Sequence, residues 1–130
     1  VIYTRTSDVY TSPAGKAAMA NASGADYFLS IHRNSSPYDN QYTGVESLVY
    51  SKNGIARTIA ENINRELTRV GFVNQGIQER PNLAVLRRTD MPAVLVEVGF
   101  INTDKDNIRF DTQFQEIARA IANGLLKSIS

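Results

Sequence analysis

Ala93-Val94-Leu95-Val96-Glu97-Val98-Gly99-Phe100 carries one polar side chain in eight positions. Its length and its β-branched residues make it a strand, and apolar residues at both alternating sets of positions call for cover on both faces. A strand of that kind belongs to the interior of an α/β sheet. Alternation puts Glu97 on one face with Ala93, Leu95 and Gly99. An unpaired carboxylate in such a strand is costly, so Glu97 should be protonated, ion-paired or beside a cation. Gly99 on the same face would leave room for a ligand. Three readings of Glu97 stand: a functional carboxylate, an edge position, or a structural partner of Arg87 or Arg88.

Around this strand the chain alternates between strand-like and helix-like segments. Asp90-Met91-Pro92 is a turn, and Leu83 to Leu86 before it reads as a further strand. Upstream, Val1 to Thr6 reads as a strand, and Tyr27 to Ile31 as a buried one ending at His32. Val45 to Tyr50 is another candidate strand. Ser12-Pro13 is a helix start, with Ser as cap and Pro in the first turn, and Gly24 ends the Ala-rich stretch that follows. Ile55, Ile59, Ile63 and Leu67 repeat every four residues and predict a helix from 55 to 70, closed by Gly71. A last helix is expected from about Thr112 to Ile129, with Phe114, Ile117, Ala118, Ile121, Leu125 and Ile129 as its apolar stripe. Arg33 to Thr43 is polar and reads as a loop. The expected architecture is a single α/β domain, a mostly parallel mixed sheet with helices on both faces.

The bulk composition excludes several classes. With 130 residues, the chain fits one domain. A net charge of +1 gives no electrostatic case for nucleic acid, and no polybasic stretch points to a membrane surface. No apolar run is long enough to span a bilayer. The absence of cysteine removes disulfides, thiolate metal sites and a Cys nucleophile. There is no P-loop, dinucleotide fingerprint or nucleophile elbow. Val1 opens directly into a strand-like run, without Met or leader, which raises the expectation that the natural chain begins upstream.

His32 is the only histidine. It falls at the carboxyl end of the Tyr27 to Ile31 strand, where open α/β sheets build their ligand sites. A metal ligand and a satisfied structural imidazole are both open readings. A catalytic zinc asks for three protein ligands, and spacing alone offers no second or third. Arg87-Arg88 could hold an anionic group or form a solvated pair. Asn34 and Glu46 are polar residues near His32, and Glu46 is expected to face solvent.

Several of these segments, in this order, resemble the zinc-dependent N-acetylmuramoyl-L-alanine amidases of the cell-wall hydrolase and endolysin type. They are Tyr3-Thr4-Arg5-Thr6-Ser7-Asp8, Ala20-Asn21, Ala25 to Asn34, Gly44-Val45-Glu46, Leu83 to Arg87, and Met91 to Asn102. The Ser30-Ile31-His32-Arg33-Asn34 and Pro92 to Ile101 runs are the most specific. The resemblance implies a peptidoglycan hydrolase cutting the amide between N-acetylmuramic acid and L-alanine, acting outside the cell at the wall. It implies one zinc held by His, Glu and His, with a separate acid–base Glu. By position His32 matches a zinc His and Glu97 the catalytic Glu, while Asn34 and Arg88 lie in segments like the substrate groove. The family's D-P-G-H-G-G motif and the helix bearing its zinc Glu have no counterpart here. The chain is therefore expected to be an N-terminally incomplete catalytic domain, short by about 30–50 residues, with two of three zinc ligands absent. A truncated or degenerate domain that binds peptidoglycan without cutting it is the alternative. The sequence leaves the oligomeric state open.

Overall fold

A computed structural model describes all residues, 1–130. The elements run α1 (Pro13–Ser23), β1 (Phe28–Asn34), β2 (Val45–Val49), α2 (Ile55–Val70), β3 (Asn74–Glu79), α3 (Ala84–Arg87), β4 (Ala93–Phe100), α4 (Asp104–Thr112) and α5 (Phe114–Ile129). The four strands form one sheet in the order β1-β4-β2-β3. β1 pairs with β4, and β2 with β3, in parallel. β2 and β4 run antiparallel, so the sheet is mixed. No helix is long and apolar enough to cross a membrane.

The apolar β4 strand is central, as its composition requires, and separates two cores. On one face Val94, Val96 and Val98 pack with Val45 and Val49 against Ile59, Ile63 and Leu67 of α2 and Ile117, Ala120 and Ile121 of α5. On the other face Ala93 and Leu95 meet Phe28, Leu48, Ala20 of α1, and Val85 and Leu86 of α3. Helices α2 and α5 come together at Gly124, where an added Cβ would lie 2.6 Å from the Ile63 Cα. The buried stripe of α5 therefore runs through Ile117, Ala120, Ile121 and Gly124, while Phe114 and Ile129 of the expected stripe are 54% and 40% exposed. Glu66 of α2 accepts from Lys127 of α5 beside this contact.

Several elements differ from the sequence reading. Residues 1–6 form no strand, because β propensity needs a partner edge to be realised and none pairs with them. Leu83 to Leu86 is not a strand: Ala84–Arg87 is a single helical turn, with Arg87 N donating to Leu83 O at 2.8 Å. A four-residue apolar run fits either state, and here packing of Val85 and Leu86 against α1 decides. β3 (NQGIQE) is a polar edge strand that gives no alternating signal. The expected last helix is preceded by α4, which starts after Thr103 with Asp104 and Asp106 in its first turn, where carboxylates favour the helix N-terminus.

Candidate functional site

The register of the sheet gathers three polar residues from three strands. His32 of β1 lies directly opposite Glu97 of β4, and Glu97 lies directly opposite Glu46 of β2. The row below them is Ser30, Leu95 and Leu48, and the row below that begins with Phe28 and Ala93. This is the face covered by α1 and α3, whose apolar residues pack on the lower rows, while Lys16 of α1 lines a groove with His32. The cluster thus sits on the same face as the second core, toward the carboxyl ends of β1 and β4.

Each side chain is set by local structure. β1 continues two residues beyond His32, because Asn34 pairs with Phe100 and its carbonyl accepts from Ile101 N at 2.7 Å. His32 is therefore held inside the strand rather than beyond it. Its Nε2 lies 2.8 Å from the hydroxyl of Ser30, which fixes the ring and leaves Nδ1 free. Burial lowers the imidazole from its ordinary pKa, and the nearby Lys16 charge lowers it further. Glu97 is half-buried, and its Oε2 is buried with no hydrogen-bond partner. Burial raises the Glu97 carboxyl from its ordinary value, and the Glu46 charge beside it adds to the rise. The two structural readings of Glu97 fail here. β4 is an interior strand, and neither Arg87 nor Arg88 forms an ion pair.

Asn34 ends β1, with its Oδ1 accepting from Ser35 N at 2.9 Å, and shares a cleft with Glu46 and Gln78. Arg88 is not brought to this cluster. It caps α3, is exposed, and its carbonyl accepts from Asn21 of α1, which places it by the opposite end of β4. Glu46 corrects the expectation of a solvent-facing side chain. It is partly buried and accepts from Gln78 Nε2 at 2.6 Å. Alternation within β2 groups Glu46 with Leu48, and the antiparallel register with β4 turns that face toward Glu97. Gln78 and β3 carried no alternating signal.

Gly99 leaves no room for a ligand, because Asp106 fills that space. Between the His32–Glu97 and Asn34–Phe100 pairs, β4 carries one residue more than β1, and Gly99 takes φ +73° at this irregularity. A Cβ there would lie 3.0 Å from the Asp106 Cβ. The Asp106 carboxylate accepts from Thr43 Oγ1 at 2.7 Å, Gly44 N at 3.0 Å and Phe100 N at 2.8 Å. It thereby clamps the start of β2 to the end of β4, next to the Glu46–Glu97 pair.

The cluster has the chemistry of acid–base work: a carboxylate with an unpartnered oxygen and a raised pKa beside an imidazole whose pKa is lowered. A metal could take the free Nδ1 of His32, a neutral donor whose other nitrogen is already oriented. No group of three or more His, Asp or Glu gathers to hold a metal.

The same arrangement of elements occurs in known proteins. The N-acetylmuramoyl-L-alanine amidase family profile matches residues 1–127. The sporulation-specific N-acetylmuramoyl-L-alanine amidase of Bacillus subtilis is 40% identical over 129 residues, covering 96% of this chain and 49% of that protein. N-acetylmuramoyl-L-alanine amidase CwlM of Bacillus licheniformis is 38% identical over 134 residues, covering 100% of this chain and 51% of that protein. Among solved structures, the N-acetylmuramoyl-L-alanine amidase of Clostridium difficile 630 superposes with a TM-score of 0.88 at 32% identity, over 96% of this chain and 69% of that one. The chain spans about half the length of the curated relatives it matches. In sequence and in fold, the chain belongs to the N-acetylmuramoyl-L-alanine amidase family.

Proposed function

We propose that the chain is the greater part of a catalytic domain that hydrolyses the amide between N-acetylmuramic acid and the L-alanine of the peptidoglycan stem peptide, with zinc bound. The observation that carries this reading is the buried, unpartnered Oε2 of Glu97 directly across from His32. Family membership supports it, as do relatives named for this activity.

In this reading Glu97 is the general base and then the general acid. It takes a proton from the attacking water as the new C–O bond forms at the lactyl carbonyl. It passes that proton to the alanine nitrogen as the C–N bond breaks, so the products are a lactyl carboxylic acid and a free amine. A carboxyl with a raised pKa suits both halves of the transfer. His32 is the residue of this chain that would hold the metal, with Ser30 setting its ring. When bound, zinc supplies Lewis-acid activation of the scissile carbonyl. Because the 130 residues gather no three-donor group, we place the remaining ligands in sequence outside them. Asn34 borders the groove and would contact substrate, whereas Arg88 would meet only a distant part of it. The substrate places the site of action at the bacterial cell wall, outside the cell.

The test is release of free L-alanine amino termini from purified sacculi by the longest native form of the protein, with bound metal measured in parallel. Cleavage with zinc present is expected, and His32→Ala should lose the metal. Full zinc occupancy in His32→Ala would remove it as a ligand, and intact muramyl amides after prolonged incubation would remove the activity.

A further inference from the structure

We propose that the cleft between β2, β3 and the 35–43 loop is a saccharide subsite that seats the muramic acid ring on the glycan side of the scissile amide; this rests on the amidase reading above. The cleft has a volume of about 340 Å³ and is lined by Asn34, Tyr42, Glu46, Gln75, Gln78 and Phe100 among others. Glu46 is the cross-strand neighbour of Glu97, so the cleft begins one strand spacing, about 5 Å, from the reacting carboxyl. The muramic ring is joined to the scissile carbonyl by a short lactyl ether. A ring in this cleft and a carbonyl at Glu97 are therefore compatible within one substrate.

The chemistry of the wall favours a sugar over the stem peptide. No Lys or Arg lines the cleft, and its one charged group is the Glu46 carboxylate. A stem peptide bearing free carboxylates would be repelled there. Lys16 and Arg5 line the separate groove along β1 that ends at His32, and the one cation beside the cleft, Arg80, is engaged with the Gln78 side-chain carbonyl. The cleft instead offers fixed polar groups and an aromatic face. Gln78 holds one oxygen of Glu46 and leaves the other free. Gln75 donates its amide to Thr43 O at 2.7 Å and leaves its carbonyl free, while the Asn34 carbonyl is used by Ser35 N and leaves its amide free. These acceptors and donors match the hydroxyls and N-acetyl group of a pyranose. Tyr42 is 52% exposed and leans on Phe100, with ring centroids 6.0 Å apart.

The wall is also built before any ligand arrives. Thr103 Oγ1 donates to Tyr42 O. Asn102 exchanges hydrogen bonds with Ser36, donating to its carbonyl at 2.8 Å and accepting from its amide at 3.1 Å. Asp104 N donates to Asn40 Oδ1 at 2.8 Å. A loop tied this way loses little entropy when a sugar binds.

The experiment is an NMR titration of the isotopically labelled longest native form of the protein with the peptide-free disaccharide N-acetylglucosaminyl-N-acetylmuramic acid, and separately with the stem tripeptide L-Ala-γ-D-Glu-meso-diaminopimelic acid, whose carboxylates outnumber its amines. The disaccharide should move the amides of Asn34, Tyr42, Gln75 and Gln78, and the tripeptide should leave them in place. Tyr42→Ala should weaken disaccharide binding by about tenfold, equivalent to about 1.4 kcal/mol, while Tyr42→Phe should retain it and Lys16→Ala should not affect it. Disaccharide shifts confined to the β1 groove, tripeptide shifts in this cleft, or no disaccharide shifts at all would each overturn the assignment. Sacculus cleavage without these shifts would discard the subsite and keep the amidase. The shifts without cleavage would do the reverse.

Discussion

Replacing Asp106 by alanine removes the one carboxylate that joins the start of β2 to the end of β4. Asp106 is 1% exposed, and its Oδ2 accepts from two backbone amides, Gly44 at 3.0 Å and Phe100 at 2.8 Å. Leaving a buried donor without an acceptor costs about 1–3 kcal/mol, so two such amides set a range of roughly 2–6 kcal/mol. Relief of the desolvated carboxylate offsets part of this, and a loss of about 3 kcal/mol is expected for Asp106→Ala. Asp106→Asn keeps an acceptor for the amides and a group that Thr43 can bond, and should lose only about 1 kcal/mol. Urea unfolding at constant m-value measures both, because a shifted midpoint then reports stability alone. Hydrogen exchange adds the local reading: the Gly44 and Phe100 amides should lose protection in the alanine variant. A loss below about 1 kcal/mol for Asp106→Ala, with those amides still protected, would refute the claim that this carboxylate holds the two strands in register beside Glu97.

Two further outcomes follow from the packing and the electrostatics. Gly124→Val should destabilise the fold by about 2–4 kcal/mol, because the nearest atoms across the interface include the Ile63 Cα and cannot rotate away; an unchanged thermal midpoint would mean the α2–α5 contact is looser than described. Glu97→Gln should raise the thermal midpoint at neutral pH and have little effect near pH 4. The Glu97 pKa is raised in the fold, so its stabilising contribution is full below the ordinary carboxylate value and is lost as pH rises through the folded value. A variant equally stable to wild type at both pH values would contradict this.

The elements legible in the sequence were those whose signal is local. Ser12, Pro13 and Gly24 mark α1, and the four-residue repeat of Ile55, Ile59, Ile63 and Leu67 marks α2. β4 announced itself by composition, and Glu97 by being the exception within it. What was not legible depends on long-range pairing. β3 is a strand only because β2 offers it an edge, and Val1 to Thr6 is not one because no edge pairs with it. Glu46 joined the site through the antiparallel register of β2 with β4, which no local pattern sets. Gly99 suggests space for a ligand by its lack of a side chain, and that space is occupied by Asp106 from a helix with no local signal in the sequence.

Glu97 is the proposed proton carrier, and the most direct measurement is turnover of a muramyl peptide by Glu97→Gln with zinc content and fold checked in the same preparation. The variant should keep its metal and its circular dichroism while release of L-alanyl peptide falls by about 10²–10⁴-fold. Release within a few-fold of wild type, with zinc and fold intact, would show that another group moves the proton.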